Sequence, residues 1–174
     1  MSLSTRVIAA VGAVVVIGAG TVGGSIAYAS GKDQPSDRRA TVTVGRSSHE
    51  ISAPFCGGTG TALTDEEQAK CQADAKQALA DGRIPGSDVV VSDRIGVGVT
   101  PKVADKGWFA FTNGGSQGQF SLAAANKGAT FSGMVPASTA LLSTGKTLVT
   151  VVEADPTSQA IYSVWYYQLT TKDA

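Results

Sequence analysis

No charged residue occurs between Arg6 and Lys32, and the stretch from Val7 onward is almost wholly apolar until it closes on the small-residue triplet Ala27-Tyr28-Ala29. One positive charge, an apolar run and small residues at alternate positions are the parts of an export signal. This feature sets residues 1–29 apart from any globular core and places the rest of the chain in an oxidising compartment. Two fates are open to the segment. It is long enough to span a bilayer, which takes about 20 residues, and longer than the usual signal core. It also holds Gly12, Gly18, Gly20, Gly23 and Gly24, which make its insertion energy modest. The triplet before residue 30 suits a peptidase that accepts small side chains. Residues 1–29 are therefore read as a signal peptide or an N-terminal membrane anchor. No cysteine precedes Cys56, so lipid modification of the N-terminus has no acceptor.

Residues 30–40, Ser-Gly-Lys-Asp-Gln-Pro-Ser-Asp-Arg-Arg-Ala, are small and polar and read as a linker, with Arg38-Arg39 as a solvated pair. Residues 41–171 are expected to form one extracytoplasmic domain, large enough for a real core. Taking Arg6 from the 14 basic residues leaves 13 against 14 acidic ones, a net charge of about −1. No basic face for nucleic acid emerges.

The two cysteines, Cys56 and Cys71, favour a disulfide in that compartment. A metal site would need further ligands, and the chain has one histidine, His49. A redox pair usually stands two residues apart. Between the cysteines, Thr64 and Glu67 have capping-box spacing, and Asp65 and Glu66 add negative charge to the first turn. A helix is thus expected to about Asp81, stopped by Gly82. Its apolar positions Cys71, Ala75, Ala78 and Leu79 form one narrow face. Alanine buries little area, which gives the bridge to Cys56 a purpose.

Elsewhere the chain alternates with period two. Strands are expected around Val42 and Val44, from Val89 to Val99 (broken or bent at Ser92-Asp93-Arg94), over Trp108–Thr112, and more weakly over Gln119–Ala123 and Ala129–Met134. Leu148–Glu153 and Ile161–Thr170 read as a terminal hairpin. Strands do not alternate with helices, which argues against a parallel α/β sheet. The expected fold class is mostly β: an antiparallel immunoglobulin-like β-sandwich with one short disulfide-tethered helix insert, plus the N-terminal apolar signal or transmembrane helix.

Candidate chemistry is sparse. Ala140 to Thr147 matches a relaxed phosphate-loop pattern, but strand formers come after it where a helix is required. Ser143 and Lys146 have the spacing of penicillin-recognising serine enzymes without their companion motifs. His49, beside Ser48 and Glu50, lacks the spatial arrangement of a nucleophilic site by adjacency alone. No catalytic residue, metal or cofactor is assigned. Along Ile161 to Leu169 both faces carry aromatic area, so one face must line the core while the other could dock a partner. Trp108, Tyr162 and Tyr166 are the candidates for that surface, and core plus a covering loop is the favoured alternative.

Ser92 to Asn113, with Ala40 to Gly45, Cys56, Lys70-Cys71 and Trp165 to Leu169, resembles an uncharacterised actinobacterial family of small exported proteins and lipoproteins. The resemblance covers roughly residues 40–170 and implies an envelope location, a paired-cysteine insert and no assigned activity. The lipidation cysteine of the lipoprotein members is missing near Ala29, which argues against lipid anchoring. The expected function is a non-catalytic envelope module that binds an envelope protein or glycan, with membrane contact through residues 1–29 if they are retained. The rivals are a secreted hydrolase whose site assembles in three dimensions and a secreted protease inhibitor using the bridged segment with Gly57-Gly58-Thr59-Gly60.

Overall fold

A computed structural model describes residues 37–143 and 145–172. The expected leader, residues 1–29, and most of the expected linker lie outside the described residues. Among those described, no helix is long and apolar enough to cross a membrane.

The longest strand, β10 (Ile161–Lys172), organises the larger of two sheets. It pairs antiparallel with β9 (Lys146–Ala154), which pairs with β6 (Trp108–Thr112) and so reaches β7 (Phe120–Asn126). On its other edge β10 takes two short strands in turn. These are β3 (Cys56–Gly57), antiparallel at Ser163 and Val164, and β4 (Gly86–Val90), parallel from Gln168 to Lys172. The smaller sheet runs β2 (Ser47–Ile51), β1 (Ala40–Val44), β5 (Arg94–Val99), β8 (Phe131–Pro136), all antiparallel. The protein is mostly β, as expected, with one parallel pair that the expectation did not include.

The interruption at Asp93 is where the chain changes sheets. β4 and β5 are separate strands belonging to different sheets. The Asp93 carboxylate accepts from the Val90 amide and its own amide donates to the Val90 carbonyl, which closes the turn. The return crossing is α2 (Pro101–Lys106), whose proline occupies the first turn, where a missing N–H costs nothing.

Side chains of both sheets form one buried cluster. The smaller sheet contributes Val42, Val44, Ile95, Val97 and Val99. The larger contributes Trp108, Val149, Val151, Trp165, Tyr167 and Leu169. The opposite face of the larger sheet is equally apolar, with Phe111, Leu148, Val152, Val164 and Tyr166, and it is covered by α1 (Asp65–Ala80) through Cys71, Ala75 and Ala78. That helix spans 16 residues, capped by Thr64 and ended at Asp81, close to the bounds expected. Two further short helices, α2 and α3 (Ala137–Ala140), were not expected.

Both ends of α1 form as their residues dictate. The Thr64 hydroxyl accepts from the Glu67 amide at 3.2 Å, and the Glu67 carboxylate accepts from the Thr64 amide at 2.8 Å. At the other end Gly82 takes φ +67°, a conformation glycine adopts without cost. This lets the Gly82 amide reach the Leu79 carbonyl and the Arg83 amide reach the Ala78 carbonyl, the paired bonds of a Schellman stop. Cys56 and Cys71 are bridged, with Cα atoms 5.9 Å apart, so the bond ties α1 to the strand that edges β10.

Replacing both cysteines by alanine should lower the unfolding free energy by about 3 kcal/mol, the chain-entropy value for a loop of about 15 residues, as read by urea denaturation. Thr64→Ala should cost about 1 kcal/mol. The Thr64 amide and hydroxyl hold Glu67 below its ordinary value of 4.5. Its contribution is therefore complete above that value and lost as pH falls through the lowered titration. Glu67→Gln should flatten that part of the acid limb in denaturation curves taken across pH.

Candidate interaction surface

Among the described residues, the side chains that carry chemistry fall into three places, one of which is exposed on an outer sheet face. The first is a buried polar cluster. Glu153 on β9 and Ser163 on β10 both point into the inter-sheet layer and are fully buried. The Ser163 hydroxyl donates to Glu153 at 2.7 Å, and the Arg38 Nε donates to both carboxylate oxygens at 3.0 and 3.2 Å. Arg38 is itself buried. The expectation of a solvated Arg38-Arg39 pair is thus wrong for Arg38. Its partner stands 115 residues away, a separation at which composition gives no signal. The neighbouring Asp37 and Arg39 are likewise held by the domain. Thr100 Oγ1 donates to the Asp37 carbonyl, and Lys102 and Glu50 pair with Asp37 and Arg39. The folded domain therefore begins within the stretch expected to be a linker. A buried charge keeps its ionised form only with such partners, and a substrate has no path to a hydroxyl enclosed like that of Ser163.

The second place is His49. It lies on β2, half-buried, facing the layer between the sheets, with its ring 5.6 Å from that of Tyr167. Burial pushes the Tyr167 phenol up, against a smaller opposing contribution from Ser87. Among the described residues no hydrogen bond joins His49 to a carboxylate or hydroxyl, so the arrangement sought for a nucleophilic site is not formed around it. The bridged segment also differs from a protruding inhibitor loop. Phe55, Gly58 and Leu63 donate their amides to Val164, Tyr162 and Ile161, which lays it flat along the edge of β10. Among the described residues no group of three or more His, Cys, Asp or Glu could hold a metal ion.

Two of the three candidate partner-surface aromatics are interior, as the core alternative has it. Trp108 is 0% exposed and donates its indole N–H to the Ala129 carbonyl. Tyr166 is 3% exposed beneath Phe55, edge-to-face at 5.4 Å, and burial pushes its phenol up. Tyr166 is interior because the second aromatic face of β10 is covered by α1, and Trp108 because it lies on β6 in the layer between the sheets. Tyr162 is half-buried, with the Lys106 ammonium 4.7 Å from its ring centre.

The third place is the outer face of the smaller sheet, which sequence reasoning missed. Strand pairing sets two rows of side chains across it: Glu50, Thr41, Gly98 and Phe131, then Ser48, Thr43, Gly96 and Met134. Phe131 is 50% exposed, one of two large apolar side chains so placed among the described residues. Its ring covers both glycines. A Cβ on Gly96 would stand 2.5 Å from Met134 Sδ and 3.0 Å from Phe131 Cζ, and one on Gly98 would meet Phe131 Cδ2 at 3.9 Å. A bulge positions the ring. Ser132 and Gly133 together oppose Val97, Gly133 takes φ +81°, and Ser132 Oγ accepts the Val97 amide in place of a carbonyl. Glycine on alternate positions of β5 was the available signal, since glycine inside a strand marks a close approach.

No family model matches this chain, and no curated protein or solved structure matches it either.

Arg38→Ala should destabilise the domain by about 3–5 kcal/mol by leaving Glu153 charged and unpaired, whereas Arg38→Met combined with Glu153→Leu should recover most of that loss. Denaturation of the single and double variants measures the difference.

Proposed function

We propose that this chain is a non-catalytic, extracytoplasmic module of the cell envelope that holds a partner on the outer face of its four-stranded sheet. One observation carries the reading. Of the two outward sheet faces, α1 covers one, while the described residues leave the other open with a half-exposed phenylalanine seated on glycines. Exposed aromatics that a fold goes to structural lengths to present are characteristic of contact surfaces. The disulfide supports an oxidising surrounding, and the apolar leader supports export.

The same reading includes the finer fold and family assignments. Two sheets sharing one core, joined by strands that switch between them, support an immunoglobulin-like sandwich. The segments Ser92 to Asn113 and Trp165 to Leu169 support a place in the uncharacterised actinobacterial family of exported proteins. The bridge here ties helix to sheet edge, whereas that of a true immunoglobulin domain joins the two sheets.

The test is photocrosslinking in intact cells, with a photoreactive residue at Phe131 or Thr43 and, as control, at Lys76 on the exposed side of α1. Adducts should form from the two sheet positions and not from the helix. Equal yields at all three, or none from the sheet, would remove the proposal.

A further inference from the structure

We infer that the bridged segment is a lid over Arg38, and that the oxidation state of Cys56 and Cys71 decides whether the pair Arg38-Arg39 is open to a protease that cuts after arginine. A run of contacts joins the sulfurs to that pair. Cys56 and Gly57 are paired with Val164 and Ser163 on β10. The Ser163 hydroxyl donates to Glu153, which accepts from Arg38 Nε. Gly60, further along the bridged segment, closes over the guanidinium. A Cβ there would stand 3.0 Å from Arg38 Nη2, 3.2 Å from Cζ and 3.3 Å from Nη1. Arg38 is therefore buried between a carboxylate and the backbone of the lid.

The lid is costly to order without its covalent bond. Gly57, Gly58 and Gly60 take φ +77°, +97° and +85°. Glycine reaches such values readily but loses the most backbone freedom when fixed there. The stretch Gly57-Gly58-Thr59-Gly60 brings no large apolar side chain to offset that loss. Joining cysteines 15 residues apart removes the competing open conformations. A protease acts on the opened chain, and the closed form holds the bond it would cut. Thr100 Oγ1 donates to the Asp37 carbonyl, and the Thr100 amide donates to the Arg39 carbonyl at 3.1 Å. With the lid open, Arg38 can leave Glu153 and the pair can peel from Thr100. A cut there parts the domain from the apolar leader. Closing the bridge takes one hydrogen from each thiol. The disulfide of an oxidoreductase accepts both and leaves as a dithiol, and a dithiol reductant reverses the exchange.

Limited trypsin digestion of the full chain tests the inference, with the products read by mass spectrometry. Four samples are compared: the oxidised chain, the chain reduced with dithiothreitol and desalted just before digestion, Cys56→Ala combined with Cys71→Ala, and Gly60→Val with the bridge intact. The rate of cutting after Arg38 or Arg39 is divided by the rate after Arg94. Arg94 lies on β5, an inner strand of the smaller sheet, so cutting there reports general unfolding. The ratio should rise at least tenfold in the reduced chain and in the double cysteine variant. It should rise several-fold in Gly60→Val, where a side chain would press on the guanidinium. A ratio unchanged by reduction, with both cuts quickening together, would show loss of stability alone and overturn the lid. An unchanged ratio in Gly60→Val would overturn it too.

Discussion

A strand that is apolar on both faces must be covered on both, and β10 imposes that condition on the whole domain. Trp165, Tyr167 and Leu169 point to one side, and Val164 and Tyr166 to the other. The first set is buried by the smaller sheet. The second would face water unless another layer were supplied, and α1 supplies it. Every other element can be placed by its relation to this strand: β9 and β6 extend it, β3 and β4 share its free edge, and α2 carries the chain from the smaller sheet back to the larger.

The disulfide belongs to the same logic. A helix that buries mainly Ala75 and Ala78 removes little apolar area from water, at about 25 cal/mol per Å², and its burial alone holds it weakly. Cys71 sits on that buried face and Cys56 lies in the short strand paired to β10, so the covalent bond fixes the helix where its packing is thinnest. The Arg38–Glu153–Ser163 cluster plays a comparable part between the sheets. It fixes the entering chain to the two central strands through charge and hydrogen bonds instead of apolar area.

With one outward sheet face occupied by α1, the proposed contact function is assigned to the other. The β5 glycines allow Phe131 to lie down on the sheet, and the Ser132–Gly133 bulge turns it there. The bulge also interrupts the edge strand β8, which protects that edge from pairing with another chain.

Local signals were legible wherever a few neighbouring residues decide the outcome. The capping box at Thr64 and Glu67, the stop at Gly82, the Trp108–Thr112 strand and the terminal hairpin all arise from short-range pattern, and the cysteine pair from parity and compartment. Other features escaped because their causes are distant. The polar strand Ser47–Ile51 is recruited by β1 and has little strand character of its own. Trp108 and Tyr166 were read as candidates for contact because aromatic content says nothing about which layer covers a face. Arg38 looked solvated because its carboxylate is supplied from β9. The sequence by itself determined the class of most local elements and the paired cysteines, since these depend on residue type and spacing. Only the tertiary structure decided which charges are interior and which aromatic is outside, because those depend on what packs against each face, and packing partners lie far apart along the chain.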